Sequence, residues 1–114
     1  MKNYIKSSWI DTKEELLDPK LTQQIFISKN VIVVQYVYKP GLEFHEHSHP
    51  QEQITIVQSG ILLAIIDGEK VELKVGDICL ISPNVVHSVN VLGDEEVKSI
   101  SIFTPVADKV IIEN

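Results

Sequence analysis

Four histidines are the residues of this sequence whose type and spacing suit them best to chemistry. Three of them, His45, His47 and His49, alternate with other residues, and the fourth, His87, follows much later in the chain. In an extended strand, side chains two positions apart share a face, so the first three would point the same way. Converging imidazoles suit a borderline divalent metal ion such as zinc, nickel, manganese, iron or cobalt. The pattern favours one metal site over its alternative, a histidine cluster on a solvated face.

Gln53 has the same parity as these histidines, whereas Glu46 and Glu52 have the opposite one. Three imidazole nitrogens with one amide oxygen would leave coordination positions for water or substrate. Gln53 is therefore a candidate for the fourth ligand.

The rest of the chain predicts the strands that would position these side chains. Isoleucine and valine are abundant, while alanine occurs only at Ala64 and Ala107, which favours sheet over helix. Turn signals such as Pro40-Gly41 and Asp67-Gly68 separate short apolar runs, as in a sandwich or barrel. The predicted strands are 25–28, 31–38, 53–58, 61–66, 71–73, 78–81, 87–92, 97–103 and 110–112.

We expect one domain with an N-terminal extension. Residues 1–22 are mixed and polar, and they are predicted to form an arm that packs on the barrel or on a partner subunit. Within the arm, Asp11 is expected to cap one short helical turn that Pro19 ends. Residues 23–114 are predicted to form the barrel.

Charge and cysteine content narrow the classes of partner. The 114 residues carry a formal net charge of −6, and all 10 basic residues are lysines. This balance argues against nucleic acid and against anionic membranes, and it favours a small-molecule or protein partner. The one cysteine, Cys79, excludes an internal disulfide. With no signal peptide or membrane-spanning run in the sequence, we expect a soluble, cytoplasmic protein.

Two motifs resemble those of the cupin family. The first cupin motif is a glycine, a His-x-His pair, a glutamate and a second glycine. At the family's spacing this chain has Gly41, His47, His49, Gln53 and Gly60, with glutamine in place of glutamate.

The second motif is less complete. Gly76 and His87 are in place, while Ser82 and Asn84 stand where the family has proline and glycine. Asparagine tolerates left-handed backbone better than other non-glycine residues, so the turn is expected to survive. The resemblance implies an all-β fold, a single cupin barrel of the jelly-roll or double-stranded β-helix type.

The resemblance also implies a ligand set of His47, His49, Gln53 and His87. Glu52 is an alternative to Gln53 if Pro50 bulges the strand and shifts the parity. His45 could be a fifth ligand, a residue that orients a ligand, a general base, or a histidine at the barrel mouth without a chemical role.

The run from His47 to Gln53 resembles a narrower group of small cupins, which includes the protein that linearises unsaturated uronates. In that relative an Asp, a Phe and an Arg near the last strand are thought to work with the metal. Here Phe103 matches, which makes it a weak catalytic candidate beside His45, but Ser101 and Ala107 replace the Asp and the Arg. Without an arginine clamp for an anionic sugar, that particular activity is disfavoured.

Three functions follow from these patterns. The first is a metalloenzyme, of isomerase, lyase, hydrolase or oxygenase type, that acts on a small polar or sugar-like molecule. The second is a metal-dependent module that binds or senses a small ligand without catalysis. The third is a barrel in which metal mainly stabilises the fold. Exposed strand edges and the N-terminal arm favour a homodimer, as is common among small cupins.

Overall fold

A computed structural model describes residues 3–106, and nearly all of their regular structure is β-strand. A short 3-10 turn spans Trp9–Asp11. The strands are β1 (Glu15–Asp18), β2 (Leu21–Ile27), β3 (Ile32–Tyr38), β4 (Glu43–His47), β5 (Glu52–Ser59), β6 (Ile61–Ile66), β7 (Glu69–Leu73), β8 (Ile78–Ile81), β9 (His87–Leu92) and β10 (Val97–Thr104). No helix within the described range is long and apolar enough to cross a membrane.

The strands form two antiparallel sheets. One has six strands in the order β1-β2-β3-β10-β5-β8, and the other has four in the order β4-β9-β6-β7. Because β10 inserts between β3 and β5, strands far apart in sequence become neighbours, as in a jelly roll. The predicted all-β jelly-roll architecture is confirmed.

The core lies between the two sheets and follows the alternation of side chains along each strand. In β3, Ile32, Val34, Tyr36 and Tyr38 are buried, while the residues between them are half-buried on the outer face. Burial of a large apolar side chain stabilises the fold by about 1.5–3 kcal/mol. The other buried apolar residues of this cluster are Leu21, Leu42, Phe44, Val57, Leu62, Ala64, Leu73, Val97 and Phe103.

Two of the turns behave as the sequence predicts. Asp67 and Gly68 have φ of 50° and 80°, as the two-residue hairpin between β6 and β7 requires. Asn84 has φ of 65°, so the asparagine takes the left-handed conformation at the position where the cupin motif has glycine. The turn of the second motif therefore survives the substitution.

The N-terminal segment differs from the helical turn predicted between Asp11 and Pro19. The 3-10 turn ends at Asp11, and residues 15–18 form β1, which pairs with β2. Pairing with a sheet edge satisfies more backbone groups than a single isolated helical turn, whose nucleation is unfavourable. Strand β2 begins at Leu21, two residues before the predicted boundary at residue 23.

The segment before β1 lies against the outer face of the six-stranded sheet. The side-chain amide of Gln24 donates to the carbonyl oxygens of Trp9 (2.6 Å) and Thr12 (3.0 Å). Gln35 on β3 donates in turn to Gln24 (3.2 Å). These contacts tie residues 9–12 to the outer face of β2 and β3.

Strand β4 was missing from the predicted set, because its histidines and glutamates hide the apolar alternation. The predicted strand at residues 110–112 and Ala107 lie outside the described residues.

Candidate metal centre

A bulge in β4 decides which of its side chains face the barrel interior. Phe44 pairs with Val89, and His47 pairs with His87. Between these two pairs β4 therefore contains one residue more than β9. Phe44 is buried and His47 is half-buried, whereas His45 is exposed. The expectation that His45 shares a face with His47 is wrong, because the extra residue shifts the alternation between them.

Three histidines converge at one end of the barrel. His47 ends β4, His87 begins β9 as its cross-strand partner, and His49 follows in the connection to β5. One ring nitrogen from each lies within 4.8 Å of the others, an arrangement that could hold a metal ion. The backbone N–H of Asn84 donates to the carbonyl oxygen of His49 (2.8 Å), which fixes the His49 loop against the turn that precedes His87.

Each of these imidazoles is oriented by its own Nδ1 atom. Nδ1 of His47 donates to the carbonyl oxygen of His45 (3.0 Å), Nδ1 of His49 to that of Gln51 (3.0 Å), and Nδ1 of His87 to that of Val85 (2.8 Å). A proton on Nδ1 leaves the lone pair on Nε2. Hydrogen bonds of this kind fix tautomer and ring orientation in histidines that bind metals.

The Nε2 atoms of His47 and His87 are buried without a hydrogen-bond partner among residues 3–106. Burial lowers the pKa of His47 to about 4, and burial also lowers the pKa of His87. Both imidazoles are therefore neutral near pH 7, which is the form that binds a metal. A buried polar atom without a partner is costly, and a metal ion would remove that cost for both atoms.

Gln53 brings an amide oxygen to the three histidine nitrogens as a fourth candidate ligand atom. Its Oε1 lies 3.0 Å from Nε2 of His49, and its amide donates to Thr55 Oγ1 (2.9 Å), which is hydrogen-bonded to Ser101 (2.9 Å). A neutral imidazole has one N–H, so His49 can donate to Gln51 or to Gln53 but not to both, and a metal ion between Nε2 and Oε1 would satisfy the second contact. Neighbouring ligands on an octahedral ion with bonds of about 2.1 Å lie about 3.0 Å apart. The two side chains fit a shared metal ion.

Glu52 lies on the opposite face of β5 from Gln53. Its side chain is exposed, whereas Gln53 is 7% exposed. Pro50 does not reverse the parity of β5, so the structure brings Gln53 and not Glu52 to the histidines.

Phe103 and Ser101 lie in the interior beside this centre. Phe103 is fully buried, and its ring centroid lies 5.4 Å from that of His49 in an edge-on arrangement. Ser101 is also fully buried and is hydrogen-bonded to Thr55. Phe103 therefore packs on a candidate ligand, and Ser101 contributes to the hydrogen bonds that orient Gln53.

A small cavity of about 30 Å³ adjoins the histidines inside the barrel. Its lining includes His47, Gln53, His87, Tyr36 and Tyr38. Thr55 and Ser99 were not among the candidate residues predicted from the sequence. The alternation along β10 could have identified the serines as buried. Ser99 and Ser101 lie on the same inward face of the strand as Val97 and Phe103.

Comparisons with known proteins agree with this architecture. An RmlC-like cupin from Shewanella frigidimarina superposes with a TM-score of 0.81 at 22% identity, covering 95% of each chain. KdgF from Halomonas sp. superposes with a TM-score of 0.80 at 22% identity, covering 91% of this chain and 97% of KdgF. At such identities the likeness shows the fold alone.

One curated protein is similar in sequence to part of this chain. The polyketide synthase CurC of Streptomyces cyaneus is 31% identical over 74 residues, which are 64% of this chain. The match spans 48% of CurC, about half of that relative's length. The family model of the cupin domain matches residues 34–103, which contain both histidine motifs and strands β4 to β9, and this chain therefore belongs to the cupin family.

Proposed function

We propose that this cupin holds one divalent metal ion on His47, His49, His87 and Gln53, and that it is a metalloenzyme acting on a small polar or sugar-like molecule. The observation that carries the proposal is the orientation of the three imidazoles. Each imidazole donates a hydrogen bond from Nδ1 to a backbone carbonyl oxygen, so that Nε2 is the nitrogen that would bind the ion.

The ligand set also favours a particular kind of chemistry. A divalent ion at this site would supply Lewis-acid polarisation of a bound carboxylate, carbonyl or hydroxyl group. None of the four side chains carries a negative charge, so they leave the charge of the ion uncompensated. The residues therefore favour an anionic or oxygen-rich ligand, and a reaction of isomerase, lyase or oxygenase type.

A second candidate function, a binding or sensing module without catalysis, is favoured by the lining of the cavity. Among the described residues that line it there is no Asp, Glu or Lys to serve as a general acid or base. Ser101 is hydrogen-bonded to Thr55. It stands where the uronate-linearising cupins have an aspartate. For this reason the proposal does not extend to that relative's reaction.

The first experiment is metal content per chain, by elemental mass spectrometry, on protein made without a polyhistidine tag. We expect about one equivalent of metal in the parent protein and less than a tenth of that in His47→Ala and in His87→Ala. The matched control is His45→Ala, which removes an exposed histidine from the same strand and is expected to keep the metal.

Two results would contradict the proposal. A folded parent that carries no metal and takes up none on addition of zinc, nickel or manganese would remove the metal site. Loss of metal in His45→Ala would place a fifth ligand outside the set of four. Turnover of a panel of small carboxylates and unsaturated uronates by metal-loaded protein then separates the enzyme from the binding module.

A further inference from the structure

Three polar atoms without a hydrogen-bond partner belong to residues that line the same cavity. They are Nε2 of His47, Nε2 of His87 and the hydroxyl of Tyr36, each buried within the described part of the barrel. The proposed metal accounts for the two nitrogens. The hydroxyl of Tyr36 is left without a role.

Tyr36 differs from its neighbour Tyr38, although both line the cavity and their ring centroids are 5.8 Å apart. The hydroxyl of Tyr38 is hydrogen-bonded to Ser99 at 2.7 Å. The hydroxyl of Tyr36 has no such contact with any residue between positions 3 and 106, and Tyr36 is only 1% exposed. The hydroxyl of Tyr38 is thus satisfied by Ser99, whereas the hydroxyl of Tyr36 can still form a hydrogen bond.

The hydroxyl of Tyr36 is available as a donor. Burial raises the pKa of Tyr36 well above its usual value, so the group keeps its proton at physiological pH. A buried hydroxyl without a partner costs about 1–3 kcal/mol, and such groups are rare in native proteins. An acceptor that enters the cavity would supply the missing partner.

The cavity limits what this acceptor can be. About 30 Å³ is room for roughly two water-sized groups, since one water needs at least about 10–15 Å³. Among the described residues, the lining has no carboxylate that would repel an anion. A carboxylate group is small enough, and it offers one oxygen to the histidine centre and one to a hydroxyl.

We propose that Tyr36 is a ligand-binding residue, whose hydroxyl donates a hydrogen bond to one oxygen of a small carboxylate while the other oxygen lies at the centre formed by His47, His49 and His87. This inference rests on the proposed metal site. It names the substrate class of that site as compounds that present a carboxylate group to the cavity.

The probe is formate, titrated calorimetrically into zinc-loaded parent protein, Tyr36→Phe and Tyr38→Phe. We expect Tyr36→Phe to keep one equivalent of zinc and to bind formate at least about tenfold more weakly, because a hydrogen bond to a charged group is lost. The matched control, Tyr38→Phe, removes a hydroxyl from the same cavity and is expected to change the affinity by less than about twofold.

The thermal midpoint of the metal-free proteins gives an independent readout. Because Tyr36→Phe removes a hydroxyl without a partner, its midpoint should equal or exceed that of the parent protein. A midpoint lower by several degrees would show that the hydroxyl is anchored inside the fold, through an internal water, and would overturn the inference.

The remaining outcomes distinguish the inference from the proposed function. A parent that binds no zinc overturns both. A parent that binds zinc but no formate, or a Tyr36→Phe variant with undiminished formate affinity, overturns the role of Tyr36 and leaves the metal site intact.

Discussion

At the scale of single residues, the centre is distinguished by its lack of charge. Cupins of the usual pattern place a glutamate where this chain has Gln53. The amide keeps the geometry of a carboxyl group, and Thr55 fixes its orientation by accepting from its nitrogen. The exchange therefore changes the electrostatics of the site more than its shape.

We expect Gln53→Glu to retain one equivalent of zinc and to bind formate about tenfold more weakly. A carboxylate would offset part of the charge of the ion and repel the anion. Titration calorimetry on the zinc-loaded variant measures the change. Glu52→Gln is the control, since it alters charge on the exposed face of the same strand, and it should leave zinc and formate binding unchanged. Equal formate affinity in Gln53→Glu and the parent would refute the electrostatic argument.

At the scale of the elements, the strand ends and turns position the candidate ligands. The bulge in β4 turns His47 inward beside His87, and the turn at Asn84 is bonded to the loop of His49. Gly60, the last residue of the first motif, is needed for packing rather than for positioning a ligand. A Cβ atom at Gly60 would lie 2.6 Å from Val97 Cγ2, so the turn between β5 and β6 packs directly against the start of β10.

We expect Gly60→Ala to lower the free energy of unfolding by about 2–4 kcal/mol, which combines left-handed strain with overpacking. Gly68→Ala is the matched control, because Gly68 has a similar φ, 80° against 74°, and nothing within 4 Å of its Cβ position. It should cost only the strain, about 1–2 kcal/mol. Urea denaturation of both variants gives the comparison, and equal losses would show that contact with Val97 is unimportant.

At the scale of the whole molecule, the part of the outer face of the six-stranded sheet that β5, β8 and β10 form carries an apolar patch. Strand register places Ile54 beside Leu80 and Ile102, and places Ile56 beside Ile78 and Ile100. Ile78 and Leu80 are 68% and 57% exposed. Contiguous apolar patches of this kind mark interaction sites. None of these six side chains is charged, so a second copy can dock here despite the net charge of −6.

We therefore expect a homodimer that buries this face. Light scattering at micromolar concentration should give twice the chain mass for the parent protein and the single chain mass for Ile78→Asp combined with Leu80→Asp, because buried charges destabilise the interface. Leu16→Asp is the control on β1, at the other edge of the sheet, and it should stay dimeric. A monomeric parent would contradict the expectation, and a monomeric Leu16→Asp would move the interface to the N-terminal arm.

The sequence by itself determined the fold class and the candidate ligands. β-branched runs separated by turn signals predict strands. The alternation of side chains along a strand and the backbone conformations open to glycine and asparagine are local properties, so they can be read from the sequence. Most strands from β2 to β10 were predicted, and the motifs named His47, His49, Gln53 and His87. Their roles as ligands stay a prediction until metal is measured.

Only the tertiary structure decided which side chains face inward together. The bulge that separates His45 from His47 arises from the pairing of β4 with β9, and the contrast between Tyr36 and Tyr38 depends on Ser99, a serine 61 positions from Tyr38 in sequence. β1 was mistaken for a helical turn because its stability comes from β2. Register, bulges and hydrogen bonds between distant strands are properties of pairs of elements, and no single stretch of sequence specifies them.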